Sequence, residues 1–229
     1  FYNADNMDIM KNTPDKYYDL AIVDPPYGIN VNMNAGRKKN TKSKKRDVKK
    51  WDNEIPNDNF FNELIRISKN QIVFGANYFS ILSKKESIQL KSKYEFLNYI
   101  QNSNENWIYW DKCVAEKCSF SDGELAWISF NKNSIAKIAW SGFIGMEGEK
   151  FHPTTKPIKL YKWLLKNYAK PNDKILDTHL GSNSIGIAID EANQLDKMNF
   201  QFTGIELDEE YFDKSIKRFK DYKSQYKLF

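Results

Sequence analysis

The residues most able to do chemistry in this chain are Asp24-Pro25-Pro26-Tyr27, directly after the apolar run Leu20-Ala21-Ile22-Val23. A run of that kind reads as a buried strand, so the tetrapeptide falls just past its C-terminal end. Two successive prolines neither continue a central strand nor open a helix freely. The result is a stiff turn carrying a carboxylate, backbone carbonyls and an aromatic ring. Such a corner can accept hydrogen bonds from an exocyclic amino group while its ring stacks on the heterocycle that bears it. The plainer alternative is a rigid turn in an α/β protein of another kind.

A second set lies far downstream. Lys174-Ile175-Leu176-Asp177-Thr178-His179-Leu180-Gly181-Ser182-Asn183-Ser184-Ile185-Gly186 reads as a short apolar strand, an acid, a turn of small residues and a helix start. Small residues let backbone approach a ligand, and a helix N-terminus offers free N–H groups. Phe202-Thr203-Gly204-Ile205-Glu206-Leu207-Asp208 then reads as another strand ending in an acid, 25 positions beyond Gly181. A carboxylate so placed can accept both ribose hydroxyls of an adenosine-containing cofactor.

Taken together and in this order, the sets resemble the S-adenosylmethionine-dependent DNA amino-methyltransferases, which methylate adenine N6 or cytosine N4. The acidic turn resembles their motif IV, the glycine turn and later acid their motifs I and II. Trp51-Asp52-Asn53, 70–79, Ser121-Asp122-Gly123-Glu124-Leu125-Ala126-Trp127 and His152-Pro153-Thr154-Thr155-Lys156-Pro157 look like stretches of small, phage-type members, the last like motif X. Placing the methylating half before the cofactor half resembles the permuted β class.

The resemblance implies S-adenosylmethionine as cofactor. It implies contacts to it from Asp5, Asp24, Thr155, Lys156, Asp177, His179, Gly181, Ser182, Asn183, Ser184, Glu206 and Leu207, with Lys156 toward the methionine carboxylate. Plainer readings stand for two of these: Asp5 as a helix cap and Lys156 as a surface lysine before a proline-started helix. Asp24, Pro25, Pro26 and Tyr27 are the expected catalytic residues, and adenine N6 is the expected acceptor because Asp opens the motif. Cytosine N4, RNA adenine and protein glutamine are alternative acceptors, the last usually met by Asn in place of Asp24. Cytosine C5 chemistry needs a thiolate, usually after a proline, and neither Cys113 nor Cys118 follows one. Two departures, Thr178-His179 for Pro-Phe and Asn183 for Gly, leave open a weakened methyltransferase-like subunit that only binds nucleic acid. Asn tolerates the left-handed backbone better than most residues, so the turn can survive.

Charge sharpens the partner. Of a formal net +5, the segment from Arg37 to Lys50 supplies +8 (Arg37, Lys38, Lys39, Lys42, Lys44, Lys45, Arg46, Lys49 and Lys50 against one Asp), leaving a mildly acidic remainder. So concentrated a block, next to the base-gripping turn, suits DNA phosphates; the bland reading is a solvated loop. A base inside a duplex cannot reach such a corner, so the target adenine must flip out. The expected DNA-contacting elements are the basic loop 28–51 and a Lys-rich insertion at 84–106. A homodimer and a role in restriction-modification or phage biology come from the resemblance alone. No signal peptide or membrane-spanning run is visible, and a cytoplasmic location is expected. Two distant histidines, His152 and His179, give no metal set.

These residues need a frame. The 229 residues, 41% hydrophobic, can build one well-packed domain spanning 1–229. Strands are expected at 19–24, 71–75, 106–111 and 124–130, besides those at 174–177 and 202–206. A short helix is expected to start within 5–10, after an entering strand, and further helices at 58–69 (capped by Asp58 or Asn59), 158–168 and 209–216. Strands alternating with helices predict an α/β fold: a seven-stranded, mostly parallel Rossmann-like methyltransferase sheet in permuted chain order, with helices on both faces. Ligands of such sheets bind beyond the C-terminal strand ends.

Overall fold

The computed structural model describes residues 1–29, 54–114, 121–140 and 155–226. The basic segment from Arg37 to Lys50, Trp51-Asp52-Asn53, Cys118, and His152 to Thr154 lie outside the described residues.

The frame is a sheet of eight strands: β1 (Tyr2–Asn3), β2 (Tyr18–Val23), β3 (Ser68–Phe74), β4 (Asn106–Asp111), β5 (Gly123–Ile128), β6 (Ser134–Lys137), β7 (Lys174–Asp177) and β8 (Gln201–Glu206). Their spatial order is β1-β8-β7-β2-β3-β5-β4-β6. All pairings are parallel except the two made by β5, which runs antiparallel to both β3 and β4. The sheet is therefore mostly parallel, with one strand more than expected. The short edge strand β6 carries too little apolar pattern to stand out in the sequence.

Helices α1 (Asn6–Lys11), α2 (Asp58–Ile67), α3 (Ser80–Ser83), α4 (Lys93–Gln101), α5 (Ile158–Tyr168), α6 (Ser184–Leu195) and α7 (Glu209–Tyr226) complete the described elements. Strand side chains alternate between two cores, as the two-residue period of a doubly covered sheet requires. Leu20, Ile22, Ile72, Phe74 and Ile175 point to the core under α5 and α6. Ala21, Val23, Val73 and Leu176 point to the other, filled by Phe60, Phe61, Leu64 and Ile67 of α2 and by Phe96 and Tyr99 of α4.

The cap of α2 is Asn57, not Asp58 or Asn59: its side chain accepts the Phe60 N–H at 3.1 Å. Three consecutive residues can cap here, and seating Phe60 and Phe61 in the core selects the first. The insertion is tied in rather than loose, since Leu90, Phe96 and Tyr99 are buried. Its helix α4 opens with a capping box between Ser92 and Glu95. Among the described residues no helix is long and apolar enough to cross a membrane.

Candidate active site

Three parallel neighbours, β2, β7 and β8, end along one edge of the sheet. Ala21 is in register with Leu176, and Asp177 with Gly204. The acidic turn after β2, the glycine turn after β7 and Glu206 at the end of β8 therefore share that edge. The antiparallel β5 adds its beginning to the same edge, because a reversed strand starts where its neighbours end. Glu124 is thereby carried in beside the acidic turn.

Around Asp24 the charges alternate. Lys156 Nζ lies 2.5 Å from Asp24 Oδ2 and 3.1 Å from Glu124 Oε2. Lys112, just past the end of β4, reaches Glu124 Oε1 at 2.8 Å. The Tyr27 hydroxyl donates to Asp24 Oδ1 at 2.6 Å. The side chain of Lys156 is only 4% exposed, and its ammonium sits 4.6 Å from the centroid of the Phe74 ring. Pro157 follows it and begins α5, so the backbone at Lys156 has little freedom.

Burial pushes the Asp24 carboxyl up and Glu124 adds to this, with Lys156 opposing; the outcome is a raised value. At Glu124 burial also works upward, but Lys112 and Lys156 outweigh it and hold the group at about 2. Burial pulls Lys156 down, and Asp24 and Glu124 more than offset that, so its ammonium is held above the usual range.

Tyr27 is fixed from below. Its ring stacks on Tyr78 at 5.3 Å and 16° between planes, with Phe79 edge-on. Gly75 makes this contact feasible. It ends β3 in the left-handed region at φ 67°, donates to Leu125 O, and starts the 3₁₀ turn Ala76–Tyr78 that brings Tyr78 under Tyr27. A Cβ at Gly75 would lie 2.1 Å from Tyr27 Cε1.

The glycine corner is polar and closely packed. Glu206 accepts the Gly181 N–H at 2.9 Å and the Asp208 N–H at 3.0 Å, bracing the loop against the end of β8. Burial raises the Glu206 carboxyl against the pull of these N–H groups. Asp177 is 1% exposed and accepts the His179 N–H at 2.9 Å. Burial, with Asp24 and Glu206 nearby, pushes Asp177 up to about 8. Burial pulls His179 down to about 4, so its ring is neutral near pH 7. The ring faces Thr178 Oγ1 at 2.9 Å and packs edge-on against Phe60.

Asn183 occupies the left-handed position at φ 59° ahead of α6, as its residue type allows. Its side-chain oxygen would lie 2.0 Å from a Cβ on Gly186, so Gly186 makes room for it. Both amide atoms of Asn183 are buried without a hydrogen-bond partner among the described residues. Arg218 of α7 donates to Ser182 O at 2.6 Å and Ser184 Oγ at 2.9 Å, fixing the loop from outside.

The remaining candidates divide. Asp5 caps α1, accepting the Met7 N–H at 2.8 Å, while its neighbour Ala4 donates to Glu206 O; it is a cap set beside the glycine corner. Leu207 is 71% exposed at the end of β8. Thr155 is half-buried. Lys156 lies on the acidic corner, against Asp24, Glu124 and Tyr27. Sequence reasoning did not single out Glu124, Lys112, Tyr78 or Arg218. The signals for Glu124 were a lone acid in an otherwise apolar strand and its place in the family-like stretch Ser121 to Trp127, neither of which gave it a role.

Residues 129–217, which hold α5, β7, α6 and β8, match the family model described as DNA methylase. The chain is 27% identical over 128 residues to the Type II methyltransferase M.HinfI of Haemophilus influenzae, covering 53% of this chain and 34% of that protein. It is 33% identical over 92 residues to M2.LlaDCHI of Lactococcus lactis subsp. cremoris, covering 39% of this chain and 32% of that one. The Bacillus subtilis M.BglII is 23% identical over 254 residues, covering 93% of this chain and 66% of its own.

In fold, the chain is similar to the M1.HpyAVI–SAM complex (TM-score 0.52, 17% identity, 95% of this chain and 97% of that one). It is also similar to the cytosine-N4-specific PvuII DNA methyltransferase (TM-score 0.54, 14% identity, 99% and 90%). These comparisons bear out the resemblance to the DNA amino-methyltransferases and the Rossmann-like α/β fold. The chain spans only 34%, 32% and 66% of the lengths of the three relatives.

Proposed function

We propose that this chain transfers a methyl group from S-adenosylmethionine to the exocyclic amino group of a flipped base in DNA, with adenine N6 as acceptor. The supporting observation is that an amine-accepting acidic corner and an adenosine-suited glycine corner lie side by side along one sheet edge. The DNA substrate is supported by the names of the relatives and by the basic segment from Arg37 to Lys50. The adenine assignment is supported by Asp at position 24.

The glycine corner suits the cofactor chemically. Asp177 is a buried carboxyl raised by burial and by carboxylate neighbours, and Asn183 buries an unpaired amide. A ligand with cationic groups and hydrogen-bonding atoms answers both needs. Glu206 would take the ribose hydroxyls, Gly181 to Ser184 would approach the ligand with backbone, and Leu207 would cover its adenine. Bound there, the cofactor supplies an electrophilic methyl group on a sulfonium.

The protein's own part is at the acidic corner. An adenine amino nitrogen is a weak nucleophile because its lone pair is delocalised into the ring. The Asp24 carboxylate and the Pro25 carbonyl, accepting its two N–H bonds, favour a pyramidal nitrogen and stabilise the charge that develops there. The stacked pair Tyr27–Tyr78 orients the base. As the amino nitrogen takes up the methyl group it would lose one proton, and Asp24, already an acceptor to its N–H, would be the first group to receive it.

Incubating mixed-sequence duplex DNA with methyl-labelled cofactor and analysing the nucleosides tests this reading. The expected product is labelled N6-methyldeoxyadenosine. Label in N4-methyldeoxycytidine would keep the amino-methyltransferase and replace the acceptor, and no label in DNA would overturn the proposal.

A further inference from the structure

Asp24 has both carboxylate oxygens engaged before any base arrives: Tyr27 holds Oδ1 and Lys156 holds Oδ2. A substrate amino group must therefore displace a donor. Lys156 is the costly one to displace, because a buried ammonium that loses its counter-charge is strongly destabilised. The structure supplies that counter-charge in advance. Glu124 Oε2 lies 3.1 Å from the same Nζ, and Lys112 anchors the other Glu124 oxygen at 2.8 Å.

Resting on the amino-methyltransferase reading, we infer that Glu124, braced by Lys112, is a positioning residue that gives Lys156 a second seat, freeing the Asp24 carboxylate for the incoming amino group. Charge stays balanced throughout. As positive charge develops on the attacking nitrogen, Asp24 neutralises it, and Lys156 is retained by Glu124. The topology makes this possible, since only a reversed strand brings a side chain from its first residues to an edge where the parallel strands end. Glu124 faces Trp110 in the β4–β5 ladder, and β4 continues into Lys112, so strand pairing itself sets the brace.

Among the described residues, the titratable and charged groups that face Lys156 are Asp24 and Tyr27 after β2, Glu124 on β5, and Lys112 after β4. Tyr161 on α5 is coupled to Asp24 and Glu124, and Asp177 on β7 is coupled to Asp24 and Lys156. Glu124 raises both Asp24 and Lys156. Removing its charge must therefore move both ionisations to lower pH.

The test is steady-state methyl transfer by Glu124→Gln and Glu124→Asp across pH, with thermal unfolding as the folding control. With Lys156 confined to Asp24, E124Q lowers kcat by about 10²-fold, the scale of a misplaced catalytic group, and leaves KM for the cofactor unchanged. Both limbs of its pH profile move to lower pH. E124D, which keeps the charge on a shorter arm, recovers part of kcat and returns the limbs toward their original positions. A folded E124Q with unchanged kcat overturns the inference, and so does a loss that is uniform across pH and equal in E124D. Asp24→Ala separates the two levels. If D24A loses about 10²-fold or more and E124Q is unaffected, the inference alone fails. If D24A transfers at a near-parent rate, or the parent transfers no methyl group to DNA, the underlying reading fails and takes the inference with it.

Discussion

Replacing Asp24 by alanine will lower methyl transfer to DNA by about 10²–10³-fold, the range for loss of one preorganised partner of a developing charge. Cofactor binding will survive, because the glycine corner is held by its own contacts. Glu206 braces Gly181 and Asp208, and Arg218 ties down Ser182 and Ser184. The fold will survive as well, since Lys156 keeps Glu124 as a partner when Asp24 is gone. Single-turnover transfer with labelled methyl, alongside calorimetric titration of the cofactor, separates the two effects. Near-wild-type transfer would remove Asp24 from the mechanism; loss of cofactor binding would move it to the other corner.

Gly75→Ala will disable the same corner through geometry. An alanine at φ 67° pays the left-handed penalty of about 1–2 kcal/mol. Its Cβ also meets the Tyr27 ring at 2.1 Å. That ring cannot yield cheaply, being stacked on Tyr78, flanked by Phe79 and bonded through its hydroxyl to Asp24. Relief requires shifting Tyr27 away from where the base must stack. The expected outcome is a loss of about 1–3 kcal/mol in stability, as for other overpacked sites, and a fall in kcat of about tenfold or more from misorientation. Chemical denaturation and steady-state kinetics read the two losses. An unchanged melting midpoint with unchanged kcat would mean that the turn after β3 does not set Tyr27.

Both corners were legible in the sequence for a local reason. Each is a buried strand run followed at once by residues that can do little else: two prolines after Asp24, and a Gly–Ser–Asn turn after Asp177. The strand run fixes the sheet edge, and the residue types fix the turn. Helix α5 was legible from its 158–168 periodicity, and Asn183 from its tolerance of positive φ. What escaped is non-local. The sense of β5 cannot be read from an apolar run, so nothing announced that Glu124 would arrive at the ligand edge rather than the opposite one. Nor does the sequence show that Lys156 sits against Asp24, a carboxylate 132 positions earlier in the chain. Tyr78 reads as one more core aromatic until the Gly75 turn places it under Tyr27. The choice of Asn57 over its two neighbours as the cap of α2 was likewise made by packing, which a cap preference alone does not contain.

The most direct test of a shared crevice is the binding of a bisubstrate probe, one adenosine joined through its ribose by a short linker to the N6 of a second adenine. If the two corners serve one reaction, the probe binds about 10²-fold more tightly than adenosine alone, as linked ligands do when both sites can be reached together. Asp24→Ala and Glu206→Gln each then weaken it. A probe no tighter than adenosine, or one insensitive to either substitution, would show that the acidic corner and the glycine corner do not hold a single transfer between them.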